Sequence, residues 1–234
     1  MALTPRWADP AWVLPAACAL AGALAVPPHP VATPLAAAVA AALAVLGRRL
    51  WHWSRLPALR VEEAPRWRAA RTAAFLALGV AIGLVLLAVI RLVIEPGLPA
   101  IGERIAAAGR LSVWRRLLII YVAAVGEELV FRLLLLSAVA GVLVRVSRSR
   151  DGGPGPAALW TANAVAALAF AAVHLPAWAG IAPGDYRVAA WVLALNAAAG
   201  LVMGHVFARQ GIALAMWTHA GGDCAVQLLG PLLG

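Results

Sequence analysis

Long apolar runs separated by short arginine-, proline- or glycine-bearing segments set the pattern of this chain. They give seven candidate membrane spans, at 11–27, 31–47, 72–94, 113–146, 157–175, 188–208 and 211–232. Each approaches or exceeds the roughly 20 residues that an α-helix needs to cross a hydrocarbon core of about 30 Å. The fourth is too long for one perpendicular crossing and is expected to tilt or to project from the bilayer. Gly152, Gly153, Pro154, Gly155 and Pro156 break the helical pattern before the fifth span, and Pro176 is expected to close it. No internal repeat interrupts the series. The expected fold is all-α, a polytopic transmembrane bundle of seven or eight spans forming a single membrane domain over residues 1–234.

Composition supports a lipid environment: 64% of the 234 residues are hydrophobic and 12% charged, more apolar than a soluble domain of this size. The net charge of +9 comes entirely from arginine, spread between apolar runs rather than gathered in a basic domain. It therefore reads as topology and not as a nucleic-acid surface. With the N-terminus in the cytoplasm, the inner segments carry Arg6; Arg48, Arg49, Arg55, Arg60, Arg66, Arg68 and Arg71; Arg145, Arg148 and Arg150; and Arg209. Only Arg104, Arg110, Arg115, Arg116 and Arg187 fall outside. Trp7, Trp12, Trp51, Trp53, Trp67, Trp114 and Trp178 lie near span ends, as interfacial anchors do. Segment 48–71 reads as a positive-inside loop or, less simply, as an amphipathic helix on an anionic leaflet. Cys18 and Cys224 give neither a disulfide framework nor a CxxC signature.

Against this background the ionisable residues inside the spans stand out, because each is costly in hydrocarbon and marks function by default. Span four contains Glu127-Glu128-Leu129-Val130-Phe131-Arg132. Glu128 and Arg132, four apart on one helical face, can pair, while Glu127 points about 100° away and stays free to act as a general base on water. Span five ends with Phe170-Ala171-Ala172-Val173-His174. Span seven carries His219-Ala220-Gly221-Gly222-Asp223, in which His219 and Asp223 share a face and the two glycines permit close helix or substrate approach. Taken singly, these groups are equally compatible with a helix–helix ion-pair cluster or a proton relay.

Glu-Glu-x-x-x-Arg, Phe-x-x-x-His and His-x-x-x-Asp, in this order on separate membrane helices, resemble the CPBP family of intramembrane proteases. That family includes type II CAAX prenyl endopeptidases and the bacterial Abi, or bacteriocin-immunity, proteins. The resemblance covers residues 110–230, the expected catalytic core. It implies that Glu127 and His174 activate the hydrolytic water, that Glu128 and Arg132 support them, and that His219 and Asp223 stabilise the oxyanion or bind metal. Relatives with Asn at the last position differ from Asp223, since an ionised carboxylate cannot donate to an oxyanion. Asp223 is protonated, orients His219, or helps to hold a cation. Glu127, His174, His219 and Asp223 are thus a candidate Zn2+ set, and a metal-independent glutamate mechanism is equally compatible. His-Glu-x-x-His, Gly-x-Gly-Asp and Gly-x-Ser-x-Gly are all missing from the sequence.

The implied partners are a peptide or protein substrate, lipidated or otherwise hydrophobic, and membrane lipids, with no nucleic acid. An Ala- and Arg-rich chain without lysine fits a GC-rich bacterial genome and a cytoplasmic membrane. A proton-coupled transporter and a non-catalytic scaffold or immunity protein are the competing classes. Of the remaining polar residues, His29, His52 and His205 read as interfacial and Arg91 as snorkelling. Asn163 and Asn196 read as interhelical hydrogen-bond formers, with a place for Asn196 on a cavity as the lesser alternative. One inconsistency stands: counted from the span starts, His174 lies too shallow to meet Glu127. A later start to span five, or an end at Pro176 with 177–187 lining a water-filled cavity, would reconcile them.

Overall fold

The computed structural model describes residues 12–56, 65–147 and 153–233, and every regular element among them is helical. In chain order these are α1 (Val13–Leu24), α2 (Ala32–Trp53), α3 (Pro65–Val89), α4 (Pro99–Ala107), α5 (Val113–Glu127), α6 (Ser137–Val146), α7 (Pro156–Trp178), α8 (Tyr186–Gln210) and α9 (Ile212–Cys224). Three π-helical segments extend them: Ile90–Ile94 after α3, Glu128–Leu136 between α5 and α6, and Ala225–Leu229 after α9. Five helices are long and apolar enough to cross a membrane: Ala32–Trp53, Ala69–Ile94, Val113–Val146, Pro156–Trp178 and Tyr186–Gln210. The bundle is thus the expected all-α one. Its first apolar run forms a shorter helix, and the nine-residue α4 falls in a stretch where no element was expected.

Helix limits follow local chemistry. Pro156 opens α7 at its first turn, where a missing N–H costs nothing, after the extended Gly155. Asp185 caps α8 by accepting from the Arg187 N–H at 2.9 Å. Hydrogen bonds from the Arg187 guanidinium hold the exposed Asp185 carboxyl below its usual range. Gly211, at φ 93°, makes the turn between α8 and α9 that a side-chain-bearing residue would resist.

Glycine sets which helices meet. In lipid there is no hydrophobic drive between helices, so close backbone approach at small residues holds them together. α3 lies against α9 in this way: a Cβ on Gly79 would sit 1.9 Å from the Thr218 carbonyl oxygen, and one on Gly221 2.2 Å from that of Leu76. The Gly221-Gly222 pair therefore admits α3. On the other side of the bundle, Gly200 of α8 packs on Ala167 of α7. Gly221→Val is expected to part α3 from α9 and to cost about 1–3 kcal/mol. Thermal unfolding of the purified protein measures this, and an unchanged midpoint would contradict the packing described.

Several sequence expectations are corrected. α7 runs through Pro176 to Trp178, because a proline in the last turn removes only one terminal hydrogen bond. Arg91 has partners within the chain: it pairs with Glu95 at 2.7 Å and donates to the Gly230 carbonyl at 3.2 Å. Asn196 bonds Val192 on its own helix, whereas Asn163 does join two helices, through the Leu201 carbonyl at 2.9 Å. Trp53 does more than anchor, since the Arg145 guanidinium lies 3.7 Å from its ring centroid and its ring fills the space beside Gly141. The readings placed on Arg6, Trp7, Arg60, Arg148 and Arg150, and on the middle of segment 48–71, lie outside the described residues, as do those on the side chains of Arg66, Trp67 and Arg68.

Candidate active site

α5, the following π segment and α6 form one continuous helix from Val113 to Val146, and the two glutamates stand where its register changes. Within the π segment the hydrogen-bond ladder runs one residue further, as in the bond from the Ser137 N–H to the Arg132 carbonyl. Such widened turns are common at functional sites. Here the widening accompanies a division of labour. Glu128 and Arg132 are fully buried, while the Glu127 side chain keeps about 30% of its exposure. A Cβ on Gly126 would meet nothing from other parts of the bundle within 4 Å, so the position before Glu127 is uncrowded.

His174 of α7 and His219 and Asp223 of α9 face Glu127. His174 Nε2 lies 3.9 Å and His219 Nε2 3.6 Å from Glu127 Oε2, and Asp223 Oδ2 lies 3.7 Å from His219 Nε2. Four groups from three helices thus meet at one depth. The apparent mismatch for His174 came from counting from opposite membrane faces. Measured from the end where Val146 and Pro156 lie, Glu127 is 19 residues from the first and His174 18 from the second. Both correspond to about 27–29 Å at 1.5 Å per residue. No later start to α7 is needed. In this region a largely apolar cavity of about 330 Å³ is bounded by Leu175, Trp178, Ala182, Tyr186 and Val188.

Each imidazole has a hydrogen on Nδ1 fixed by an acceptor. His174 Nδ1 is 2.7 Å from the Phe170 carbonyl, which can only accept, so Nδ1 carries the hydrogen and Nε2 faces Glu127. His219 Nδ1 donates to Glu128 Oε1 at 2.9 Å, which leaves Nε2 facing Glu127 and Asp223. Glu128 therefore has two partners. Besides orienting His219 it lies 3.1 Å from Arg132 Nη1, within ion-pair range though not aligned as a hydrogen bond. Arg132 in turn donates from Nη2 to the Gly200 carbonyl at 3.2 Å and stacks on Phe170, its guanidinium carbon 4.6 Å from the ring centroid.

Phe170 is the residue whose part sequence reasoning missed. Its ring meets Phe131 edge-on at 5.4 Å, His174 at 4.7 Å and His219 at 6.0 Å, so one aromatic ring separates and positions both imidazoles. Its place four before His174 was legible as a motif, but its contacts with Phe131, Arg132 and His219 come from two other helices.

The family model for the type II CAAX prenyl endopeptidases, Rce1-like, matches residues 109–225. That stretch is half of the chain and contains all six polar residues of the cluster. The chain belongs to this family. No curated protein and no solved structure matches it. Membership in the Rce1-like family implies CAAX-type endopeptidase activity on a peptide or protein substrate, and the long apolar helices make the chain an integral membrane protein. Neutral imidazole nitrogens backed by a carboxylate and a carbonyl are the donor chemistry of a zinc site. Yet among the described residues no three His, Cys, Asp or Glu side chains close around one point as an ion requires. No step below runs through a metal.

Proposed function

We propose that the chain is an intramembrane endopeptidase that hydrolyses a peptide bond with a water activated by Glu127 and His174. The observation carrying this reading is the 3.9 Å gap between Glu127 Oε2 and His174 Nε2. It is too long for a hydrogen bond and short enough for one water oxygen to bridge. Glu127 takes a proton from that water as its oxygen attacks the scissile carbonyl carbon, with His174 Nε2 holding the second hydrogen. Negative charge then develops on the carbonyl oxygen. His219, as imidazolium, offers Nε2–H to that oxyanion while Glu128 fixes its other nitrogen. Asp223, whose Oδ2 lies 3.7 Å from the same nitrogen, supplies a nearby negative charge that favours the imidazolium. Collapse of the tetrahedral intermediate breaks the C–N bond, and Glu127 returns its proton to the leaving amine.

The apolar cavity starting at Leu175, next to His174, supports a hydrophobic or lipidated peptide as substrate. The arginine bias supports a cytoplasmic N-terminus in a bacterial membrane. Comparing membrane and secreted peptides from cells carrying the native chain or Glu127→Ala tests the activity and identifies the substrate. Peptides cleaved only by the native chain are expected, with cleavage surviving dialysis against a chelator. Identical peptide profiles would remove the proposal, and loss of cleavage on chelation alone would reassign the water to a metal.

A further inference from the structure

At the end of the bundle opposite the cavity bounded by Leu175 and Trp178, a second cavity of about 240 Å³ opens between the start of α7 and the end of α8. At roughly 30 Å³ per water it holds a polar headgroup but not acyl chains. Its walls include Pro156, Trp160 and Asn163 of α7 and Gly204, His205 and Arg209 of α8. It is separate from the reacting groups: Asn163 and His174 lie eleven residues apart on one helix, about 16 Å.

Three features of this cavity call for a ligand. The first is Asn163, 3% exposed, whose Nδ2 donates to the Leu201 carbonyl while its Oδ1, lying beside Gly204 in the cavity wall, has no hydrogen-bond partner among the described residues. A buried amide oxygen left unpaired is costly, so a hydrogen-bond donor is missing there. The second is the α7 N-terminus, where Gly155 supplies no side-chain cap and the first-turn amides of Ala157 and Ala158 have no carbonyl of their own helix to bond, a polarity that favours anions. The third is Arg209, exposed at the rim beside His205, which stacks on the exposed Trp160 ring at 5.7 Å. Arginine is also concentrated around this end: Arg145 bonds Trp53, and Arg71 bonds Gln210 next to Arg209.

One ligand meets all three: an anion for Arg209 and the helix end, bearing a hydroxyl that donates to Asn163. From Trp160, exposed Val165 and Leu168 continue along α7 toward the middle of the span, an apolar track that a free phosphate would leave unused and an acyl chain would cover. A choline headgroup offers no donor hydrogen, and an ethanolamine headgroup brings a cation against Arg209. We infer that this cavity binds an anionic glycerophospholipid through its phosphate and headgroup hydroxyl, phosphatidylglycerol being the simplest such lipid.

The probe is brominated-chain phosphatidylglycerol, titrated into the full-length protein in detergent, with quenching of Trp160 as the readout and Trp160→Phe defining the background of the other tryptophans. The protein is expected to bind it about tenfold more tightly than brominated phosphatidylcholine, and Arg209→Gln is expected to lose that preference while keeping its helical content and melting temperature in phosphatidylcholine. Glycerol 1-phosphate at millimolar concentration is expected not to displace the lipid. Equal binding of the two lipids, or a preference that survives Arg209→Gln, would overturn the inference. Full displacement by glycerol 1-phosphate would replace the lipid by a soluble phosphate ester and equally overturn it.

Discussion

Glu127→Gln is expected to lower the turnover of purified protein by about 10²–10⁴-fold, the usual contribution of a positioned general base. KM, helical content and thermal stability should stay close to native. The amide keeps the shape of the carboxylate, and Glu127 is partly exposed, so no buried charge is stranded by its removal. His174→Ala should produce a loss of similar size. The informative comparison is the double variant: if both groups act on the same bridging water, Glu127→Gln with His174→Ala should be scarcely worse than either single change. Two losses that multiply would mean that the residues serve separate steps and that no shared water lies between them. Native turnover in Glu127→Gln would end the reading altogether. The assay uses whichever peptide the comparison of cellular peptides identifies.

Helix existence was legible along this chain because lipid imposes it: a span must be apolar and must satisfy its own backbone, so hydropathy reports it directly. The 113–146 run is the clearest case, helical from end to end. Hydropathy does not encode which carbonyl each N–H selects, and so the three π segments left no trace in the pattern. Nor does it encode partners. Gly79 and Gly83 looked like ordinary small residues of a generic span until their contacts with Thr218 and Gly222 placed α3 against the helix bearing His219 and Asp223. Pro176 misled because a proline is informative about a helix interior and much less so about its last turn.

The polar cluster was legible where a single helix determines the geometry. Spacing of four predicts that Glu128 and Arg132 share a face, as do His219 and Asp223, and both pairs meet. Contacts between helices were beyond that reasoning. Three roles were open for Asp223, one of them to orient His219; the Nδ1 hydrogen instead goes to Glu128, which arrives from a helix 91 positions earlier. The same carboxylate thus holds the His219 imidazole and balances Arg132. Sequence spacing suggested only the second task.

That double duty makes Arg132 the most sensitive structural position in the bundle. Its side chain is about 1% exposed, and among the described residues its charge is met by Glu128, the Gly200 carbonyl and the face of Phe170. Arg132→Met leaves Glu128 as a buried carboxylate facing His219 alone. Removing one member of a buried pair typically costs about 3–5 kcal/mol, because the survivor keeps its desolvation penalty and loses its compensation. Unfolding of the purified variant in detergent should show a loss of that order. Glu128→Gln combined with Arg132→Met removes both charges while keeping an oxygen that can accept from His219 Nδ1, and it should recover more than half of the lost stability. Activity is expected not to return with it, because a neutral amide holds the ring without supplying the negative charge that an imidazolium at His219 needs during oxyanion formation. If Arg132→Met unfolded like the native protein, the pair would contribute nothing to the fold. If the double variant were as unstable as the single one, the cost would come from lost packing on Phe170 and not from stranded charge. The recovery of stability without turnover separates the two tasks of Glu128: balancing a buried cation can be dispensed with by removing both charges, and charging the nitrogen behind His219 cannot.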